Sequence, residues 1–151
     1  MFSIQDFFSS PAIKLTRANT TITHHTAKFT YNSFGYRTHR FATIENKHLV
    51  VSGCSHTEGV GLHHEQTWAY KLEKELDTQI VNLGVGGSNS EFVSQNLRLW
   101  LDNYKPLAVI AQWPHLYRAT HWKNSKAYFV NSNSADELFK EKILQGDEHF
   151  L

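Results

Sequence analysis

The sequence predicts an α/β domain in which a central parallel sheet is covered by helices on both faces, as in a three-layer α/β/α sandwich. Between residues 48 and 113, three apolar strand-like runs alternate with two amphipathic segments. A helix between two strands returns the chain to the same end of the sheet, so the two strands run parallel. Such crossovers are right-handed. We therefore expect an N-terminal arm with short strands over residues 1–45 and the α/β domain over 46–151.

The three predicted strands share a short apolar core rich in branched side chains. Residues 48–53 read His-Leu-Val-Val-Ser-Gly, and a β-branched run that ends in glycine is typical of a buried parallel strand. Residues 79–84 and 107–113 have the same character.

The first predicted helix covers residues 65–76. Trp68, Leu72 and Leu76 are spaced four apart, so they fall on one face, and the charged residues lie mostly elsewhere.

The second predicted helix covers residues 91–104 and ends before Pro106. Ser88 and Glu91 have the spacing of a capping box at its start. The side chains expected on its apolar face are Val93, Leu97, Trp100 and Leu101.

The two ends of the chain have weaker patterns. Residues 3–8 predict a short helix stopped by Pro11, and residues 135–145 predict a further helix. Residues 23–43 are rich in Thr, Tyr and Phe, which favours short strands or an extended arm.

Composition limits the classes of partner. The formal net charge is +1, which gives no electrostatic reason to expect nucleic acid or an anionic membrane. No apolar run approaches the roughly 20 residues of a membrane span, and the N-terminus lacks a secretory signal, so we expect a cytoplasmic protein. An uncovered sheet edge would favour a homo-oligomer.

No cofactor or metal site is expected. Cys54 is the only cysteine, and no His-x-x-x-His pattern occurs on a helix. The segment Gly84-Val85-Gly86-Gly87-Ser88-Asn89 approaches the dinucleotide-binding pattern G-x-G-x-x-G. Asn89 replaces its third glycine, and the segment follows the second strand rather than opening the domain, so this interpretation is disfavoured.

Three loops at the carboxyl ends of the strands, residues 53–61, 84–90 and 112–118, carry the candidate chemistry. In open α/β sheets, ligands bind at this edge. Ser55 lies between a strand and a helix, where its hydroxyl can project into a crevice and its N–H can face an oxyanion. The alternative is a serine that only caps the following turn.

The first two loops resemble two sequence blocks of the SGNH (GDSL-like) hydrolases. Gly53-Cys54-Ser55-His56-Thr57-Glu58-Gly59 resembles the first block, with Cys54 where the family usually has aspartate. The run Asn82–Ser88 resembles the second block, with Gly87 at the oxyanion-hole glycine. The resemblance implies a flavodoxin-like fold in which Ser55 is the nucleophile and the amides of Ser55 and Gly87 bind the oxyanion.

The third family block, Gly-x-Asn-Asp, is not preserved. Gln112 and His115 lie nearest the position of its asparagine, and either side chain could donate a hydrogen bond. Upstream, Asn32-Ser33-Phe34-Gly35-Tyr36-Arg37 is similar to a segment of some bacterial and viral SGNH-like proteins. The whole resemblance is confined to about residues 31–118.

The general base is the weakest element of the pattern. Family enzymes take it from a late Asp-x-x-His motif, whereas this chain has Asp147 and His149 with one residue between them. Family domains also continue further, so the resemblance implies an incomplete C-terminal part. The histidines that remain as alternatives are His56, His63, His64, His115 and His121.

Two functional hypotheses follow. The first is a serine esterase acting on a small ester, a lipid acyl chain or an O-acetylated carbohydrate. The second is a non-catalytic SGNH-like module that binds carbohydrate or a protein partner. Trp113, Tyr117 and Trp122 would line an acyl or sugar pocket, or would only cover the sheet edge.

Overall fold

The computed structural model of the protein describes residues 11–24, 26–116, 118–123 and 126–130. The helices expected at 3–8 and 135–145 lie outside these ranges. The elements are β1 (Thr21–His24), β2 (Ala27–Thr30), β3 (His48–Ser52), α1 (Ser55–Glu58), α2 (Trp68–Leu76), β4 (Gln79–Asn82), α3 (Ser90–Asn103), β5 (Ala108–Ala111), β6 (Ala119–Lys123) and β7 (Lys126–Val130). Single 3₁₀ turns occur at Phe41–Thr43 and His64–Gln66.

Helices and strands are mixed around a small parallel sheet, which confirms the α/β class. Its strand order is β4-β3-β5, and both pairings are parallel. In the register, Val50 of β3 faces Val81 of β4 on one side and Val109 of β5 on the other. Two antiparallel hairpins, β1–β2 and β6–β7, complete the described strands. The first lies within the predicted arm, whereas the second was not predicted.

Alternate residues of β3 belong to different apolar clusters. Val50 and Val81 pack with residues of α3, including Trp100. Leu49 and Val51 pack with Ala69, Trp68 and Leu72 of α2. Because successive side chains of a strand point to opposite faces, β3 is buried on both faces, as its continuous apolar run predicts.

Helix α2 begins at Trp68 rather than at residue 65. Thr67 is its N-cap, and the Thr67 hydroxyl accepts a hydrogen bond from the Tyr70 amide at 3.3 Å. A capping side chain satisfies an amide that has no partner inside the helix, so it fixes where the helix starts. Leu76 is 49% exposed in the last turn, which corrects its predicted place on the packed face.

Helix α3 begins after Asn89, so the predicted cap at Ser88 is wrong by one residue. The Asn89 side chain accepts from the Phe92 amide at 2.9 Å. The Ser88 hydroxyl instead donates to the Gly53 carbonyl at 3.1 Å. Val93, Leu97 and Trp100 are buried as predicted, but Leu101 is 48% exposed.

Strand β5 is an edge strand within the described part of the chain. It pairs with β3 alone there, and its Val109 and Ile110 side chains are exposed. No helix in the described ranges combines the length and apolar character needed to cross a lipid bilayer.

His48 joins the start of β3 to α3 through a buried hydrogen bond. The Trp100 indole N–H donates to His48 Nε2 at 3.1 Å, and His48 Nδ1 lies 2.7 Å from the Glu45 carbonyl. An indole N–H can only donate and a carbonyl can only accept. The His48 ring is therefore the neutral tautomer that carries its proton on Nδ1.

We predict that Asn89→Ala lowers the free energy of unfolding by about 1 kcal/mol, because it removes the cap of α3. Urea denaturation measures the difference. The control is Ser94→Ala on the exposed side of the same helix, which should leave stability unchanged or slightly higher because alanine favours helix. Equal losses in the two variants would show that Asn89 does not act as a cap.

Candidate functional site

Ser55 lies at the turn between the central strand and the first helix, as the sequence predicts. Strand β3 ends at Ser52, and Ser55 is the first residue of α1. Gly53 is required here, because a Cβ at this position would lie 2.2 Å from Thr57 Oγ1. Cys54 has the unusual dihedrals φ −98° and ψ −144°. The tight turn leaves the Ser55 side chain partly exposed.

The loop after β4 comes directly against Ser55. A Cβ at Gly86 would lie 3.9 Å from the Ser55 Cβ, an ordinary van der Waals distance, and 3.0 Å from Glu58 Oε2, so the two loops are neighbours at this point. Gly87 has φ +82°, in the left-handed region that glycine adopts without strain. The two predicted blocks therefore meet at the carboxyl edge of the sheet.

Two backbone amides at this edge remain available. Neither the Ser55 amide nor the Gly87 amide donates to an acceptor within the described part of the chain. Unpaired N–H groups beside a hydroxyl are the kind of donors that stabilise an oxyanion.

A buried carboxylate that the sequence reasoning missed holds the two loops together. Glu58, only 1% exposed, accepts a hydrogen bond from the Gly86 amide. It also accepts from the Tyr31 hydroxyl at 2.9 Å and forms an ion pair with Arg17 at 2.7 Å. The one signal in the sequence was a glutamate inside an otherwise small and uncharged loop.

Burial and the neighbouring Glu58 carboxylate keep the Tyr31 phenol protonated. Burial, together with the adjacent Glu58 charge, raises the pKa of Tyr31 to about 12. The phenol is therefore a hydrogen-bond donor to the carboxylate over the whole physiological pH range.

Asn82, the last residue of β4, connects the same loops. Its Nδ2 donates to the Thr57 carbonyl at 2.6 Å, and its Oδ1 accepts from the Gly84 amide at 2.8 Å. A Cβ at Gly84 would lie 2.6 Å from the Glu58 amide nitrogen, so α1 packs directly on the backbone of this loop.

Gln112, one of the two candidates for the third oxyanion donor, lies against the first loop. The backbone N–H of Gln112 donates to the Ser52 carbonyl at 2.8 Å, and its side-chain Oε1 accepts from the Thr57 hydroxyl at 2.6 Å. In this arrangement the Nε2 group is left to donate. Gln112 therefore joins the end of the third strand to the first loop.

His115, the second candidate, is exposed, and its carbonyl accepts from the Arg118 amide at 3.3 Å. Arg118 Nη1 lies 3.4 Å from the Ser88 carbonyl, which links this loop to the second one. Trp113 is 60% exposed.

The predicted general base, His149 with Asp147, lies outside the described residues. So do Tyr117 and the side chains of His121 and Trp122. Among the described side chains, no imidazole is within hydrogen-bond distance of the Ser55 hydroxyl, whose recorded contact is Cys54 Sγ at 3.9 Å. The described alternatives His56, His63, His64 and His115 are all exposed.

The upstream segment, residues 32–37, contacts the end of the first loop through Arg37. Arg37 donates to the carbonyls of Gly59 and Leu62, each at 2.7 Å, and its guanidinium lies 3.9 Å from the centre of the Phe29 ring. Asn32 Oδ1 accepts from the Tyr36 amide at 3.1 Å and closes the preceding turn. The segment is thus a structural support for residues 58–62.

Within the described residues, no group of three histidine, cysteine, aspartate or glutamate side chains is arranged to hold a metal ion. Comparison with known proteins gives no relative: no protein-family profile, no curated protein and no solved structure matches the chain.

We predict that Glu58→Gln lowers the free energy of unfolding by about 3 kcal/mol. The amide cannot neutralise Arg17, and its single oxygen cannot accept from all three donors; losing one member of a buried ion pair has a cost of this order. Arg17 is partly exposed, so solvent offsets some of the loss.

The measurement is chemical denaturation beside the matched variant Glu75→Gln, which changes an exposed glutamate of α2 and should alter stability by less than about 0.5 kcal/mol. A Glu58→Gln protein as stable as Glu75→Gln would mean that the carboxylate does not hold the loops.

Proposed function

We propose that the protein is a serine esterase of SGNH type, built on a three-layer α/β/α sandwich, that acts on a small ester, a lipid acyl chain or an O-acetylated carbohydrate. The observation that carries the proposal is the approach of the Gly86–Gly87 loop to Ser55, with the Ser55 and Gly87 amides left without acceptors in the described chain. The sheet order supports it, since β3 lies between β4 and β5 and Ser55 follows this central strand.

In the proposed reaction, the Ser55 hydroxyl attacks the ester carbonyl and its proton passes to a histidine. Negative charge then develops on the carbonyl oxygen. The Ser55 and Gly87 amides would donate to that oxygen, with Gln112 Nε2 as the third donor. Each such donor contributes a factor of roughly 10²–10³ in rate when it is fixed in place beforehand.

The base in this proposal is His149, oriented by Asp147. When the tetrahedral intermediate collapses, the ester C–O bond would break and the histidine would give its proton to the departing alcohol, which leaves the acyl-serine. Water would then hydrolyse the acyl-serine, with the same histidine removing the proton of the water and returning it to Ser55. Neither the reaction nor the site calls for a cofactor, and the substrate would be a small molecule of the cytoplasm.

One observation favours the second candidate function, a non-catalytic module that binds carbohydrate or a protein partner. The Ser55 hydroxyl contacts no described imidazole. Without a base, the same crevice would bind an ester or sugar but would not cleave it.

A fluorophosphonate activity probe distinguishes the two functions, because it reacts covalently only with an activated serine. We expect labelling of the full chain and its complete loss in Ser55→Ala. Ser94→Ala, on the exposed side of α3, is the matched control and should label like the wild type.

A His149→Ala variant tests the base separately and should label at least tenfold more slowly than the wild type. An unlabelled but folded wild-type chain would exclude the esterase and leave the binding module. Labelling that persists in Ser55→Ala would place the nucleophile elsewhere.

A further inference from the structure

A cavity of about 360 Å³ lies apart from the Ser55 edge. Its walls come from β2, residues 37–39, α2 and β4, and its described lining includes neither Ser55 nor the Gly86–Gly87 loop. The volume falls within the range of small-molecule sites. The cavity is therefore large enough to hold a ligand of its own.

The acidic and basic side chains of the lining balance one another. Its cations are Lys28 and Arg37. Its carboxylates are Glu58 and Glu73. With two groups of each sign, these side chains produce no field of a single sign that would select an ion. An uncharged ligand therefore suits the cavity.

Two hydroxyl groups of the lining are already hydrogen-bonded within the protein. The Thr38 hydroxyl donates to the Ile80 carbonyl at 3.4 Å and accepts from the Asn82 amide at 3.0 Å. The Thr67 hydroxyl donates to the His64 carbonyl at 2.7 Å. Recognition of an uncharged ligand therefore depends on other side chains of the lining.

His39 keeps one ring nitrogen for a ligand. Burial alone would raise the Glu73 pKa, but hydrogen bonds from Ile80 and His39 outweigh it and lower the pKa, so Glu73 is ionised. An ionised carboxylate only accepts, so the 2.8 Å contact between His39 Nε2 and Glu73 Oε2 has its proton on Nε2. His39 Nδ1 has no recorded partner in the described part of the chain.

A hydroxyl group fits His39 Nδ1 in both protonation states of the ring. Nδ1 accepts a hydrogen bond when the ring is neutral and donates one when it is protonated. A hydroxyl both donates and accepts, whereas an ammonium only donates and a carboxylate only accepts. His39 therefore favours a hydroxylated ligand whatever its own charge.

His64 and Tyr70 form a pair of polar rings in the same lining. Their ring centres are 5.0 Å apart, and the planes are inclined at 64°. Neither the His64 ring nitrogens nor the Tyr70 hydroxyl has a recorded hydrogen bond within the described ranges. Desolvation, followed by the nearby Arg37 charge, lowers the pKa of His64, so at neutral pH its ring offers one donor and one acceptor.

We propose that this cavity binds a neutral monosaccharide, whose hydroxyl groups contact His39 Nδ1, the His64 ring and the Tyr70 hydroxyl. Sugar hydroxyls match these groups because both sides can donate and accept. The apolar C–H face of the sugar would lie against the rings of His64 and Tyr70. The cavity is separate from the Ser55 crevice, so this proposal rests on neither of the two candidate functions given above.

Titrations of the full chain with D-glucose, D-galactose and D-mannose, followed by ¹H–¹⁵N NMR, test the proposal. We expect at least one of these sugars to give saturable shifts in the millimolar range, centred on the amides of Tyr70 and Ile80. The uronate of the sugar that binds, which adds one negative charge, should bind no more tightly than the neutral sugar.

Tyr70→Phe and His39→Gln should each weaken the affinity for that sugar about fivefold, the loss expected for one hydrogen bond between neutral groups. Tyr104→Phe changes a tyrosine outside the cavity and should bind the sugar like the wild type. Tyr70→Phe removes only a hydroxyl without a partner in the described chain, so this variant will fold even if His39→Gln loosens α2.

Three results would overturn the proposal. The first is that none of the three sugars gives a saturable shift in the millimolar range, or that the shifts centre on the Gly86–Gly87 loop, which would place binding at the Ser55 crevice. The second is equal affinity of Tyr70→Phe and Tyr104→Phe. The third is tighter binding of the uronate, which would make the cavity an anion site.

Discussion

The geometry of the site depends on a single buried carboxylate. Glu58 connects the arm, through Arg17 and Tyr31, to α1 and to the loop after β4, through Gly86. Moving a carboxylate into a protein interior is unfavourable unless donors surround it. The three donors come from separate parts of the chain, so the carboxylate is stable only when all of them are in place. Glu58 therefore ties the position of the first loop to that of the loop after β4.

The sheet and its helices could be predicted because their signals are local. The apolar run of β3 reflects burial on both faces, and the spacing of Val93, Leu97 and Trp100 reflects one buried helix face. Local patterns do not fix where a face ends: Leu76 and Leu101 continue the apolar spacing but lie beyond the packed surface. The cap of α3 was misplaced by one residue because Ser88 and Asn89 are both good caps, and only the contact of Ser88 with Gly53 decides between them.

The candidate site was predictable in its backbone but not in its side chains. Glycine and serine at strand ends indicate where loops meet, and the approach of Gly86 to Ser55 agrees with that indication. Glu58 was missed because its partners lie 27 and 28 positions away, in Tyr31 and Gly86, and no local period connects them. The His39–Glu73 pair, 34 positions apart, was missed for the same reason. The roles of Asp147 and His149 remain predictions.

The two adjacent glycines after β4 have different tasks, and the hydrogen bonds explain why both are needed. The Gly86 amide is committed to Glu58, so it cannot also donate to a substrate oxygen. The positive φ of Gly87 turns the chain immediately afterwards, and its amide remains without an acceptor in the described structure. A Cβ at Gly86 would lie 3.0 Å from Glu58 Oε2, whereas a side chain at Gly87 would strain the backbone. One glycine thus anchors the loop to the buried carboxylate, which leaves the other free to present its N–H at the edge of the sheet.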